Sequence, residues 1–561
     1  MSIFERIKVG SSAGSALVAL IMPLILSVAL LTILFTLPQP TIPTNLPFKA
    51  ETMLSAALVL ILAWTIRPWE SKAFARDRDP QPLRIVTFSI AGFILWSAVS
   101  YSWGGVFDGA AHHTFLWLVF LAYFLVFSSL MRTDPANRFI ISVMAIVSIY
   151  IGILCIFDYL TLEDFKMSEG YIRIRYGKYA EMLATLSPML WALTIYAKRR
   201  SIKVILAAGA VLSWMTVMLS LSKGAFLGSV LGFFVLFIGA ILFSPKVFRR
   251  RIVIAAAIWI VFSVGFQAYF VISSDVPATT DYISGAADPT RGTTAFRVFS
   301  WALGRQMFND HWLIGVGADN FAIRLTEARI RYRISNADNP KDEPGEDYIF
   351  ERAHNEPLQI AAELGVIGLV LVAVPFILFA AYLIRHLFRK RDTFSPILWA
   401  SVGGMAAFAF SSMVSSFSFR SAQNGVVFFM IFAVGVNELS KRGKRNRSSG
   451  FSFSRPFYIG CWAAALLLGG YCVSKIVAEY HVDQAESTGD TEKAHYHYRI
   501  ARAIAPEYAG LHLSAAARNM ADNEPETAAV NTRLAITNGI AMALNYSALA
   551  KQQIAAGLTS D

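Results

Sequence analysis

The chain has 561 residues, 55% of them hydrophobic and 13% aromatic, with a mean hydropathy of +0.50. That balance excludes an ordinary soluble globule with a normal polar surface, so the chain must be solvated mainly by lipid. The formal charge of +12 would suggest nucleic acid in a soluble protein. Here most Lys and Arg stand in short runs between apolar stretches, where they fix membrane topology, and no nucleic-acid partner is implied. Cys155, Cys461 and Cys472 lie in or at the ends of apolar segments, which suggests neither a disulfide scaffold nor a Cys-ligated metal.

The first apolar run, about Ala16 to Phe35, can span roughly 30 Å of hydrocarbon and has no obvious cleavage site, so it reads as a retained helix. Apolar windows recur near 50–66, 84–101, 111–131, 139–158, 179–197, 203–221, 225–243, 252–273, 357–384, 395–413, 422–438 and 456–477. The expected fold is therefore all-α, a polytopic bundle of about 12–13 transmembrane helices. With a cytoplasmic N-terminus, the basic clusters Arg67 to Arg84, Lys198 to Arg200, Arg249 to Arg251, Arg389 to Arg391 and Lys441 to Arg447 all fall on one side. The loop from about Ser273 to Glu356 and the tail after about Val477 then face the periplasm, as expected of a bacterial inner-membrane protein. Splitting or merging one span, most easily at Ser222-Lys223, would flip everything after it. The implied organisation is N-terminal helices over 1–170, a core over 171–440 with a long helical periplasmic loop at about 274–356, a basic loop and last span over 441–477, and a tail over 478–561.

The tail is polar, Ala-rich and amphipathic. At an offset of about 34 residues, the TPR period, "EKAHYHYRIARAIAPEYAGLHLSAA" pairs with "ETAAVNTRLAITNGIAMALNYSALA", placing Ala494 over Ala528, Arg499 over Arg533 and Ala501 over Ala535. The tail thus resembles TPR-type helical hairpins able to dock an envelope protein; an Ala-rich helical appendage without a partner fits equally.

Ionisable groups beside lipid-facing helices cost about 2.5–3.5 kcal/mol on insertion scales and usually face a polar cavity. Lys223, in "SLSKGAFLGSV", is either a residue of a short periplasmic turn or part of an anion site. Arg173, Arg175 and Lys178, in "YIRIRYGKYAEML", stand where a periplasmic loop meets the sixth span, open to an interfacial snorkelling reading or to the same anion. In the long loop, "RGTTAFRVFSWALGRQMFNDHWLIGVGADNF" starts as an amphipathic helix, with Phe296, Ser300 and Leu303 along one side, and breaks at a Gly-rich turn. Arg291 and Arg297 bracket its start, and a guanidinium fork suits phosphate. His354 reaches the membrane surface just before the tenth span. The carboxylates Asp338, Asp342, Glu343, Glu346, Asp347 and Glu351 crowd a Pro- and Gly-containing stretch that reads as a solvated loop, with a rival proton acceptor as the alternative.

His354-Asn355, nine residues, Gly365, two residues and Gly368 reproduce the His-Asn/Ser/Gln-x9-Gly-x-x-Gly/Thr/Tyr pattern of O-antigen ligases. Arg297-x-x-x-Trp301 followed by "HWLIGVGADNF", with Gly315 and Gly317, resembles the Arg…Trp…Pro-Leu/Ile-Gly-x-Gly-x-x-x-Phe stretch of the same superfamily, which also holds O-antigen polymerases and O-linked oligosaccharyltransferases. The resemblance spans about 170–440. The chain departs from it at Lys223, where most members carry Arg, and at "YGKYAEM", where many carry Asn-Pro-Asn.

The resemblance implies a glycosyltransferase using a glycan on undecaprenyl pyrophosphate, without metal or other cofactor. The acceptor would be lipid A-core in a ligase, another lipid-linked glycan in a polymerase, or a protein hydroxyl in the oligosaccharyltransferase branch. It places Arg297 and His354 in the catalytic role and Arg173, Arg175, Lys223 and Arg291 on the pyrophosphate. Trp301, Gly315, Gly317, Asn355, Gly365 and Gly368 are motif residues, the last two glycines expected to let a helix approach its neighbour closely. A lipid-glycan flippase and a peptidoglycan polymerase are the competing classes. Transporters place their unusual charges near the bilayer midplane, whereas these gather at one face, and the His-Asn-x9-Gly-x-x-Gly spacing speaks against the peptidoglycan class.

Overall fold

The structure, a computed structural model, describes residues 81–130, 134–161, 178–220, 222–273, 292–336, 352–389, 395–415, 418–440, 455–540 and 543–558. The two expected spans before residue 67, Arg173, Arg175, Arg291 and the acidic stretch from Asp338 to Glu351 lie outside the described residues. Among the described residues the protein is all-α, with eighteen helices. Six are long and apolar enough to cross a membrane, and three shorter apolar helices pack among them. The chain is a multi-pass membrane protein.

In chain order the body consists of α1 (Gln81–Val99), α2 (Tyr101–Gly104), α3 (Phe107–Leu130), α4 (Asp134–Thr161), α5 (Lys178–Tyr196), α6 (Arg200–Leu219), α7 (Lys223–Phe243) and α8 (Lys246–Ser273), then α9 (Gly292–Asp310) and α10 (Leu325–Ser335) in the long loop, and α11 (Glu356–Arg389), α12 (Pro396–Ser412) and α13 (Ala422–Ser440). The close pair at Ser222-Lys223 resolves into two helices: α6 ends at Leu219, and the Ser222 side chain caps α7 by accepting from Ala225 N at 3.4 Å.

Two kinds of seam are seen among the described helices of the bundle. Along one face of α7, Gly224, Gly228 and Gly232 recur every four residues against α12; a Cβ on Gly228 would lie 2.6 Å from the Ala407 carbonyl oxygen, and one on Gly232 the same distance from that of Gly403. Without side chains the two backbones meet directly, the packing that membrane helices use in place of hydrophobic collapse. Between α3 and α13 the seam is aromatic: Phe120 stacks on Phe429 with centroids 5.4 Å apart, and Trp117 meets Phe429 edge-on. By contrast, α8 turns Val253, Ile254, Ile258, Val261 and Val264 outward, as a lipid-facing helix should.

The helix expected over 456–477 continues to Ser487 as α14 (Arg455–Ser487). It leads into α15 (Thr491–Ile504), α16 (Ala509–Ala521), α17 (Pro525–Thr537) and α18 (Ala543–Ala555). α17 begins 34 residues after α15, and α18 begins 34 residues after α16. Ala494, Ala501, Ala528 and Ala535 are all fully buried, so the sequence register coincides with the helix contacts. The tail rests on the body: Gly539 lies against Val106 and Ile323, and Tyr471 of α14 meets Phe107 of α3 edge-on.

Candidate functional site

The motif glycines hold a backbone junction. α11 is not the uninterrupted helix the sequence suggested, because Gly365 has φ 66° and ψ −169°, a region only glycine enters freely. The groups freed by this break pair with the Gly-rich turn: Val316 N donates to Ala362 O at 3.0 Å, Gly317 N to Glu363 O at 2.8 Å and Val366 N to Trp312 O at 2.8 Å. From α1, Trp96 Nε1 donates to Leu364 O at 3.0 Å. A Cβ on Gly315 would strike the Glu363 carbonyl, and one on Gly365 would strike that of Leu313. The two glycines therefore serve one contact from opposite sides. Gly317 (φ 102°) packs on Gly104, its Cβ position 2.7 Å from the Gly104 Cα. The close approach expected from Gly365 and Gly368 is thus corrected: at Gly365 it is made to a loop, and Gly368 abuts Leu364 of its own helix.

The segment Arg352–Asn355 is clamped between α9 and α11. Ser300 Oγ on α9 donates to Arg352 O at 3.0 Å, Ala353 N donates to Gln359 Oε1 at 3.2 Å, and Ala353 is fully buried beside Phe299, Leu303 and Met307. Asn355 Oδ1 accepts from Leu358 N at 3.0 Å and so caps the first turn of α11. His354 between them has φ 54°, a left-handed conformation costly for any residue but glycine and common at functional sites.

Behind this segment lies a buried ionic junction. Arg420, between α12 and α13, reaches three carboxylates: Nη2 to Glu363 at 2.6 Å, Nη1 to Asp319 at 2.8 Å and Nε to Glu356 at 3.2 Å. The side chains of Arg420, Glu356 and Glu363 are 4%, 2% and 0% exposed. Glu363 also accepts from Gln359 Nε2 at 2.9 Å and from Asp319 N at 3.2 Å. One guanidinium thereby ties the Gly-rich turn and both ends of the first segment of α11 to the α12–α13 connection.

In front of it, positive charge gathers. Arg297 acts electrostatically on Lys223 and His354, and Arg352 on His354. Burial, reinforced by Arg297 and Arg352, pushes the His354 imidazole down to about 4, so it is neutral at pH 7 and can accept a proton. Lys223 is the first residue of α7, where the helix dipole adds to its positive charge. Glu181 of α5 is buried, accepts hydrogen bonds from Ser415 Oγ and, at 3.4 Å, from Asn424 Nδ2, and stands in the field of Arg297 and Arg352. Two guanidiniums beside a neutral imidazole, with Lys223 in the field of one of them, can bind a multiply charged anion beside a proton acceptor.

Of the residues singled out from sequence, Arg297, Lys223 and His354 come together, with Gly315, Gly317, Asn355 and Gly365 shaping the backbone beneath them. Trp301, one turn after Arg297, has a buried indole N–H with no partner among the described residues. Sequence reasoning missed Arg352, Glu181 and the junction of Arg420 with Asp319, Glu356 and Glu363. The signal for Arg420 was available: in "SSFSFRSAQNG" it stands between two apolar runs, the circumstance that drew attention to Lys223. Among the described residues, no group of three or more His, Cys, Asp or Glu could hold a metal ion.

Residues 208–373 match the Wzy_C family, described as O-antigen ligase, so a domain of that superfamily is present over this part of the chain. The segment contains Lys223, Arg297, Arg352, His354 and the motif glycines. No curated protein matches the chain.

Replacing Arg420 would leave three carboxylates without their cation. Arg420→Gln should destabilise the folded protein by about 3–5 kcal/mol, read as the shift in a denaturant titration in detergent; a change below about 1 kcal/mol would show that the junction does not hold the site together.

Proposed function

We propose that this protein transfers a glycan from undecaprenyl pyrophosphate to an acceptor hydroxyl at the periplasmic face of a bacterial inner membrane, as an O-antigen ligase-type enzyme, with lipid A-core as the acceptor. The observation that carries this reading is the convergence of Arg297, Arg352, Lys223 and His354 at one end of a membrane bundle, within the segment that matches the O-antigen ligase family.

The acceptor oxygen attacks the anomeric carbon, the bond from that carbon to the pyrophosphate oxygen breaks, and undecaprenyl pyrophosphate leaves with the electron pair. Arg297, Arg352 and the Lys223 ammonium at the start of α7 offset the charge growing on the leaving group, commonly the largest electrostatic contribution to such a reaction. Arg173, Arg175 and Arg291 are assigned to the same pyrophosphate. The hydroxyl proton passes to His354. In the empty site burial, reinforced by the neighbouring guanidiniums, keeps the imidazole a weak base; a bound pyrophosphate offsets the guanidiniums and strengthens it. The proton acceptor thus becomes effective once the donor is in place. No metal, nucleotide sugar or cofactor is needed for these steps. The tail, as a pair of TPR-type hairpins, supplies a docking surface outside the site.

Glycan profiles of a deletion strain test the assignment. Loss of long-chain lipopolysaccharide with full-length polymer stranded on the lipid carrier is expected of a ligase; single repeat units on the carrier or on the core would make the enzyme a polymerase, and an unchanged profile would end the proposal. Complementation with His354→Ala should fail, with transfer by the purified variant down about 10²–10⁴-fold at normal membrane insertion.

The pH dependence follows from the His354 shift. The folded value of about 4 lies below the unperturbed one of about 6.5, so between those values the unfolded chain binds the proton that the native site excludes. Any stability His354 contributes is therefore complete above about pH 6.5 and lost as pH falls toward 4. In kinetics, the acid limb of kcat/KM should lie near pH 4, with the limb of kcat displaced to higher pH because bound donor offsets the cations. Coincident limbs near 6.5 would contradict the arrangement.

A further inference from the structure

Away from the cationic site, the tail and the body enclose a cleft of about 650 Å³ lined by Gly104, Gly105 and Val106, by the α10 side of the long loop and by Ile536, Thr537 and Tyr546 of the tail. Its volume lies within the usual range for small-molecule sites. On the α10 side, Glu327 sits between two guanidiniums, 3.3 Å from Arg324 and 2.7 Å from Arg331, all three side chains close to half exposed. Arg331 is also 3.5 Å from Asp310 at the end of α9. Thr326 and Thr537 add hydroxyls, Ile323, Ile330 and Ile536 apolar surface, and Tyr546 a half-exposed ring.

This lining narrows the ligand. A lipid chain would want an apolar wall without an ion-pair ladder. A phosphate would meet Glu327 placed between Arg324 and Arg331, the two cations among the described residues lining the cleft. A saccharide fits both halves: the carboxylate accepts from sugar hydroxyls, the guanidinium forks donate to vicinal oxygens, and the ring of Tyr546 with the isoleucines covers the apolar face of a pyranose.

Position supports the same occupant. The floor of the cleft is the chain segment that braces the Gly-rich turn: Asn320 Nδ2 donates to Gly104 O at 3.1 Å, and Gly104 packs on Gly317. The same turn carries Asp319, bound to Arg420. The cleft and the Gly-rich turn thus share the Gly104 segment, and Gly105 has no described atom within 4 Å of its Cβ position. We propose that the cleft between tail and body binds saccharide units of the donor or acceptor glycan, with the tail forming one wall of the site. This rests on the glycan-transfer reading above.

Calorimetry on the purified full-length protein tests it with two probes: oligosaccharide released by mild acid from the undecaprenyl-linked glycan of the producing bacterium, and core oligosaccharide from its lipopolysaccharide. The wild type should bind one of them saturably, the first marking a donor subsite and the second an acceptor subsite. Tyr546→Ala, which removes the ring, and Thr537→Trp, which narrows the cleft, should each weaken binding about tenfold or more. Failure of the wild type to bind either probe, or equal binding by Thr537→Trp, would overturn the cleft proposal. Binding without any transfer by the wild type would overturn the glycan-transfer reading and leave the saccharide site standing; transfer by the wild type with undiminished binding by Thr537→Trp would do the reverse.

Discussion

One buried guanidinium constrains the structure around the site. Arg420 meets Asp319 of the Gly-rich turn and both Glu356 and Glu363 of α11, elements far apart in sequence. Such a junction contributes little net stability, because desolvating the charges offsets much of their attraction, yet removing its cation is costly. Its effect is positional. With Glu356 and Glu363 fixed, the broken start of α11 has one placement, and the segment carrying Arg352 and His354, joined to it through Asn355 and Gln359, is placed with it. α9 closes against the same segment through Ser300 and brings Arg297 beside it.

The irregular backbone is gathered in the same neighbourhood. The break before α7, the turn at Gly315 and Gly317, the left-handed His354, the interruption at Gly365 and the α12–α13 connection around Ser415 and Arg420 all meet there. In a membrane protein, non-helical backbone at membrane depth is tolerated where it is buried in protein or lines a polar cavity. Here each break is satisfied by another: loop amides by carbonyls of α11, the Leu364 carbonyl by Trp96, and the start of α7 by Ser222. Beside them, the guanidiniums of Arg297 and Arg352 face a neutral imidazole, an arrangement suited to a phosphate-bearing donor.

Much of this was legible in the sequence. Apolar windows located every described membrane helix, because the length needed to cross a bilayer is a strong and local signal. The 34-residue offset of the tail was visible in its alanines, since small residues recur where helices must touch. The spacing of His354, Asn355, Gly365 and Gly368 drew attention to the candidate site, but the reason for Gly365 was hidden: hydropathy averages over a window and cannot register one residue whose φ leaves the helix. Arg420 stood out between two apolar runs, but its pairing was hidden for another reason. Its partners lie 57, 64 and 101 residues away, and three-dimensional charge pairing leaves no periodic trace. Glu181 and Glu363 stand within apolar windows of the sequence, where the cost of burying an acid already demands partners.

The central claim, that Arg297, Arg352 and Lys223 bind the pyrophosphate of a lipid-linked donor, is tested most directly by titrating purified full-length protein with undecaprenyl pyrophosphate carrying no glycan and following thermal stability in detergent. Binding to the native state must raise that stability with ligand concentration. The account predicts a saturable rise in the wild type that is lost in Arg297→Gln and weakened in Lys223→Gln. An equal rise in all three, or none in the wild type, would contradict it.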